Sequence, residues 1–190
     1  MNAYQLLHRI GFRELMRVLY RVELTGSERV PATGAAILAS NHASIVDPFI
    51  LAVTTKREIH YMAKAELFGN PVLSAVFRSL NAFPVERGGG DRTAMSEAAA
   101  LLGRGALLGI FPQGTSKVER QIGWHRGAAR LALTTGAPLI PVRMTGTRGW
   151  PWRTRVRIAV GEPIVVPVGQ PTITAAKSLT DRLEQAVAAA

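Results

Sequence analysis

Ala35-Ala36-Ile37-Leu38-Ala39-Ser40-Asn41-His42-Ala43-Ser44-Ile45-Val46-Asp47-Pro48 places an apolar run, an imidazole, a carboxylate and a proline in one short stretch. The first five residues suit a strand of a parallel sheet, buried on both faces. Pro48 suits the first turn of a helix and Asp47 its N-cap. His42 then falls in a strand-to-helix turn. In a continuous helix, at about 100° per residue, positions five apart diverge by roughly 140° and their side chains do not meet. The turn is what lets Asp47 reach back to His42.

Outward from this stretch, short strand patterns alternate with helical ones. Upstream, Arg21 to Thr25 reads as a strand ending at Gly26. Downstream, Phe49 to Thr55 reads as a short helix, Glu58 to Ala63 as a strand, Pro71 to Leu80 as a helix and Ala82 to Val85 as a strand. Arg87-Gly88-Gly89-Gly90 reads as a mobile loop. The spacing then predicts a helix over Arg92 to Leu102, a buried strand over Ala106 to Phe111, a helix from Arg126 stopped by Gly136, and a strand from Leu139 to Met144. Arg155 to Val160 alternates arginine with valine and isoleucine, as an edge strand does. A last helix runs from about Thr172 to near the C-terminus. This order predicts an α/β sandwich in one domain, with a mainly parallel sheet flanked by helices.

The chain has 190 residues, 47% of them hydrophobic, which is enough for one full-sized core. Its most apolar stretch, Leu131 to Val142, is interrupted by Thr134, Thr135, Gly136 and Pro138, so no membrane span is expected. No signal-peptide pattern is expected at the N-terminus either. The absence of cysteine excludes disulfides, thiolate metal sites and a cysteine nucleophile. A net charge of +10 calls for anionic partners: a phospholipid surface, a phosphorylated substrate or cofactor, or nucleic acid. Charge alone does not choose among them.

The first twenty residues read as a separate amphipathic helix. Leu7, Phe12, Leu15, Met16, Val18 and Leu19 share a broad arc, and Arg9, Arg13, Arg17 and Arg21 form a stripe opposite. Such a helix suits an anionic membrane surface, and equally suits packing on its own domain with arginines in water.

In the pair His42 and Asp47, a neutral imidazole takes a proton while a carboxylate on its other nitrogen fixes the tautomer. On spacing alone, a helix-capping aspartate beside a satisfied histidine is the simpler account. Gly-x-Ser-x-Gly, Walker-lysine and His-Glu-x-x-His patterns are missing from the sequence. Gly103-Arg104-Gly105 with Gly109 has the wrong spacing for a dinucleotide fingerprint and reads as a helix stop and turn.

Four blocks in order change the balance: Asn41-His42-x4-Asp47-Pro48, Ala82-Phe83-Pro84-Val85-Glu86-Arg87, Phe111-Pro112-Gln113-Gly114-Thr115-Ser116 and Ala137-Pro138-Leu139-Ile140-Pro141-Val142. Together they resemble the motif blocks of the glycerolipid acyltransferase family, over about Val30 to Thr147. The resemblance implies transfer of a fatty acyl group from acyl-CoA or acyl carrier protein to the hydroxyl of a lysophospholipid, making phosphatidic acid at the inner face of the cell membrane. It implies no metal and no cofactor, and the lack of any nucleic-acid recognition signature argues against a nucleic-acid partner. It makes His42 the catalytic base, Asp47 its partner and Arg87 a phosphate ligand. Gln113, Gly114 and Thr115 fall in the acceptor-binding block, with Lys117 and Arg126 as further cations.

Gln113 stands where the family usually has glutamate, and Ser116 where it usually has arginine. Glutamine keeps the size and loses the charge, which opens the acceptor's identity: glycerol 3-phosphate, a glycolipid or another hydroxyl compound also fits. A non-catalytic basic module that binds membrane is the alternative outside enzymes. Trp150 and Trp152 alternate with Arg148 and Arg153, a mixture suited to a lipid headgroup layer or to covering a core edge.

Overall fold

The computed structural model describes residues 11–86, 92–116, 123–148 and 154–190, without the side chains of Phe12 and Arg13. Seven strands form one sheet: β1 (Val22–Thr25), β2 (Ala36–Ser40), β3 (Ile59–Lys64), β4 (Ala82–Val85), β5 (Leu107–Ile110), β6 (Leu139–Thr145) and β7 (Val156–Val160). Their lateral order is β1-β7-β6-β2-β5-β3-β4. All neighbouring pairs are parallel except β6 with β7. The α/β sandwich with a mainly parallel sheet is therefore the fold that the alternation predicts.

Strand β2 lies in the middle of this order, and all five of its residues are buried. Alternate side chains feed two cores. Ile37 and Ala39 join a cluster under the helices α4 (Arg92–Gly103), α5 (Gly127–Thr135) and α6 (Ile173–Ala189). Ala36 and Leu38 join the opposite cluster, under α1 (Phe12–Leu19), α2 (Asp47–Leu51) and α3 (Pro71–Ser79). The first cluster is packed with alanines from α4 and α5, whose small side chains bring those helices close to the sheet.

Small residues and caps fix local details. Asn70 Oδ1 accepts hydrogen bonds from the Val72 and Leu73 amides and starts α3. Thr172 caps α6 in the same way through Ala175 N. Gly109, in mid-β5, makes room rather than a turn: a Cβ there would lie 2.6 Å from the Tyr61 ring. That ring crosses β5 so that its hydroxyl donates to Pro48 O at 2.8 Å, tying α2 to β3. The reading of the Gly103–Gly109 run as a helix stop and turn thus holds for its first part only.

Three further expectations change. β7 is not an edge strand, since it lies between β1 and β6. Its alternation reports one open face: Val156, Ile158 and Val160 are buried while Arg155 and Arg157 pair with Glu23 of β1 at 3.0 and 2.9 Å. The apolar arc of the N-terminal helix is split, because Met16 and Leu19 pack on the domain while Leu15 and Val18 are exposed. Asp47 is the first residue of α2 and its side chain does not cap that helix, as its partners show below. The expected Arg87–Gly90 loop, Trp150, Trp152 and the first ten residues of the expected amphipathic helix, Arg9 among them, lie outside the described residues.

Candidate active site

The site is built at the C-terminal ends of β2 and β5, which lie side by side with Ala39 opposite Ile110. The chain leaves β2 through α2 on one face of the sheet, and later passes from β5 to β6 through α5 on the other. Adjacent strands whose connections depart to opposite faces leave a crevice at their carboxyl ends, the usual ligand position in open α/β sheets.

His42 stands in the turn between β2 and α2. Asp47 Oδ2 lies 2.9 Å from its Nδ1. The same oxygen accepts from the amides of Ala43 at 2.6 Å and Ser44 at 2.8 Å. The carboxylate therefore reaches back over the turn, and these three bonds account for its failure to cap α2. Asp47 Oδ1 is buried and has no partner among the described residues. The imidazole keeps 17% of its surface open, against 1% for the aspartate side chain. A buried carboxylate on Nδ1 favours the tautomer in which that nitrogen donates, which leaves Nε2 as the nitrogen able to accept a proton.

Three more residues position His42, and none of them is assigned that task by spacing. The Asn41 amide continues the sheet beyond β2: its Nδ2 donates to Met144 O and its Oδ1 accepts from Met144 N, both at 2.8 Å. Phe111 stacks on the imidazole with ring centroids 4.4 Å apart and planes 26° off parallel. Gln113 Oε1 accepts a hydrogen bond from the His42 backbone N–H at 2.5 Å. The β2–β5 register was the missing signal, since residues 71 positions apart meet only when those strands are neighbours.

The remaining acceptor-block residues share this rim. Gly114 N donates to Phe111 O at 2.9 Å, closing a turn with Pro112 at its second position. Gly114 has φ +69°, and a Cβ there would sit 3.0 Å from the His125 ring, so both the backbone and the neighbour favour glycine. His125 N donates to Pro112 O at 2.8 Å, which brings the start of α5 and the exposed Arg126 to the same turn. Thr115 follows, half-buried. Arg87 and Lys117 lie outside the described residues; Arg87 follows β4 by two positions. Among the described residues no group of histidines and carboxylates is arranged to hold a metal ion.

Comparison with known proteins gives the family. A family-wide sequence profile described as Acyltransferase matches residues 21–145. The chain is 31% identical over 147 residues to a 1-acyl-sn-glycerol-3-phosphate acyltransferase of Bacillus subtilis (strain 168), covering 75% of this chain and 73% of that protein. It is 32% identical over 170 residues to a protein of the same name from Cocos nucifera, covering 85% of this chain and 53% of that one. The crystal structure of the 1-acyl-sn-glycerophosphate (LPA) acyltransferase PlsC from Thermotoga maritima superimposes with a TM-score of 0.73 over 98% of this chain and 77% of that chain. At 24% identity, that likeness is one of fold. With residues 21–145 matched by the profile and the relatives named alike, the chain belongs to the acyltransferase family.

Proposed function

We propose that the protein moves a fatty acyl group from an acyl thioester, acyl-CoA or acyl carrier protein, to the free hydroxyl of lysophosphatidic acid, making phosphatidic acid. The observation that carries this reading is the 2.9 Å contact between His42 Nδ1 and a buried Asp47 carboxylate at the sheet's carboxyl rim. The printed names of the Bacillus subtilis and Cocos nucifera relatives supply the acceptor class.

In this mechanism His42 Nε2 takes the proton of the acceptor hydroxyl, and the oxygen attacks the thioester carbonyl carbon. Asp47 stabilises the imidazolium that forms, a role worth about 10²–10⁴-fold together with the base. The tetrahedral intermediate collapses with loss of the carbon–sulfur bond, and the imidazolium returns its proton to the departing thiolate. Arg87, Lys117 and Arg126 are assigned to the acceptor phosphate, with Gly114 and Thr115 shaping the turn beneath it. Arg126 directly precedes α5, whose N-terminal end favours an anion.

The catalytic unit on this reading is residues 21–190, with residues 1–20 as a membrane-facing segment whose described helix α1 starts at Phe12 after the left-handed Gly11, and the protein works on the inner face of the cell membrane. Exposed apolar side chains support a lipid contact. Val72, Leu73 and Val76 of α3 are 70%, 49% and 48% exposed, and no residue of α3 is fully buried. Leu15 and Val18 of α1 are exposed on the same layer of the sandwich, and Ile45 is exposed in the turn before α2. The net charge of +10 suits an anionic bilayer. No helix among the described residues is long and apolar enough to cross one.

The test is thiol release from acyl-CoA against a panel of acceptors, including lysophosphatidic acid and glycerol 3-phosphate. Release should depend on lysophosphatidic acid and vanish in a folded His42→Ala variant; an active variant sinks the mechanism, and preference for another acceptor sinks the substrate assignment. Co-sedimentation with anionic vesicles should weaken about tenfold when Val72, Leu73 and Val76 are replaced by serine, since each buries apolar area in lipid. Unchanged binding would remove α3 from the membrane contact.

A further inference from the structure

Gln113 makes a contact that an acceptor-binding role does not use. Its Oε1 lies 2.5 Å from the backbone nitrogen of His42. A backbone N–H only donates, so the amide oxygen must be the partner atom. The bond links the carboxyl rim of β5 to that of β2, across the crevice between them.

The turn that carries Gln113 is itself held in place. Gly114 N closes it onto Phe111 O, and His125 N binds Pro112 O from the side of α5. Two residues of this braced turn then grip His42, Phe111 through the ring and Gln113 through the main chain. Asp47 sets the tautomer and Asn41 ties the preceding residue to β6. The Gln113 bond adds a direct hold on the main chain of residue 42 itself, reached from the neighbouring strand.

We propose that Gln113 is a positioning residue for His42: its side-chain oxygen anchors the His42 main chain and so places Nε2 against the acceptor hydroxyl. The assignment rests on the acyl-transfer reading above. The task requires an acceptor atom of the right reach and does not depend on charge. Glutamine and glutamate both supply one, which explains how the family's usual glutamate can be absent here without a change of acceptor.

The test pairs Gln113→Met, similar in length but lacking a strong acceptor, with Gln113→Glu, which keeps one. Misplacement of a reacting group by about 1 Å costs on the order of 10²-fold, so kcat in Gln113→Met should fall by about that factor with both KM values within about threefold. Gln113→Glu should restore kcat to within about threefold of the natural protein. A raised KM for the phosphorylated acceptor with kcat intact would make Gln113 a substrate contact and overturn the proposal. Equal losses in the two variants would also overturn it.

A second readout needs no substrate and no turnover. The chain has four histidines, so ¹⁵N-histidine labelling gives a small set of amide signals, with His42 identified by its loss in His42→Ala. The His42 amide proton should lie downfield, stay there in Gln113→Glu and move upfield in Gln113→Met; an unmoved signal overturns the anchor. Should Gln113→Met not fold, a coupling across the hydrogen bond from His42 ¹⁵N to the Gln113 side-chain carbonyl carbon decides the matter in the natural protein, and its absence counts against the proposal. A natural protein inactive toward every acceptor would sink the acyl-transfer reading while leaving these signals to judge the anchor.

Discussion

The two rims of the central strands are organised by opposite charges used in the same way. At the carboxyl rim, one oxygen of Asp47 gathers three donors: His42 Nδ1 and the amides of Ala43 and Ser44. At the amino rim, the Arg57 guanidinium serves three acceptors: the carbonyls of Pro31 at 2.8 Å, Gly34 at 2.7 Å and Gly105 at 2.8 Å. Each charge fastens loops that have no sheet partner of their own. The difference lies in what is fastened. Asp47 holds a ring that can take up a proton, so on the proposed mechanism its charge bears on chemistry; Arg57 holds backbone oxygens, so its charge bears on the path of the chain. On that reading architecture and chemistry are separated along the length of the same strands.

The sharpest way to break this contrast is Asp47→Asn. The asparagine oxygen can still accept from Ala43 and Ser44, so the turn should form, but the amide cannot steady an imidazolium. Acyl transfer should drop by about 10²–10⁴-fold, with a circular dichroism spectrum like that of the natural protein. A folded Asp47→Asn enzyme with full kcat would mean that the carboxylate only shapes the turn, and the two rims would then be alike.

Arg57→Ala is the reciprocal change and should have the reverse outcome. Three carbonyls lose a charged donor; a bond to a charged group is worth about 1.5–3 kcal/mol, and at this half-buried rim water can replace part of it. A loss near 2 kcal/mol in urea unfolding is expected, with kcat of the folded protein unchanged below the transition. Arg57→Lys should recover little of it, because a single ammonium cannot span the three carbonyls as the planar fork does. A fall in kcat without a fall in stability would place Arg57 in the catalytic apparatus and erase the distinction.

The two rims also differ in how far they can be read from sequence. The strand–turn–helix around His42 is legible because the apolar run at 35–39 and Pro48 mark its two ends by local chemistry. That Asp47 reaches back follows once the turn is granted. What is not legible is lateral. Gln113, Phe111 and Asn41 act on or beside His42 only because β2 lies between β5 and β6, and no local pattern states that order. β7 was misplaced for the same reason: its arginine alternation shows an open face, and an open face does not make an edge. Arg57 gives no signal at all, since an arginine bound to carbonyls looks in sequence like any solvated arginine. Tyr61 and Gly109 are legible only as a pair, once β3 and β5 are known to be neighbours.

The smallest expected effect comes from a second histidine on the sheet, His60, the second residue of β3 and three positions after Arg57. Burial pushes its imidazole below the ordinary value of 6.5; Arg104 lowers it further, while Glu58 and Glu97 pull it upward. A histidine with a lowered value in the fold binds its proton more readily in the unfolded chain. Stability from this source is therefore present above about pH 6.5 and is lost as the pH falls through the lower folded value. His60→Phe keeps a ring in β3 and removes the titration. The melting temperature of the variant should fall less between pH 7.5 and pH 5.5 than that of the natural protein, by a difference smaller than the Arg57→Ala loss. Its pH–activity profile should keep the natural shape, because on the proposed mechanism the proton of turnover is carried by His42 at the other end of the strands. A shifted activity profile in His60→Phe would show that the two rims are coupled through β3, and the separation of chain path from chemistry would not hold.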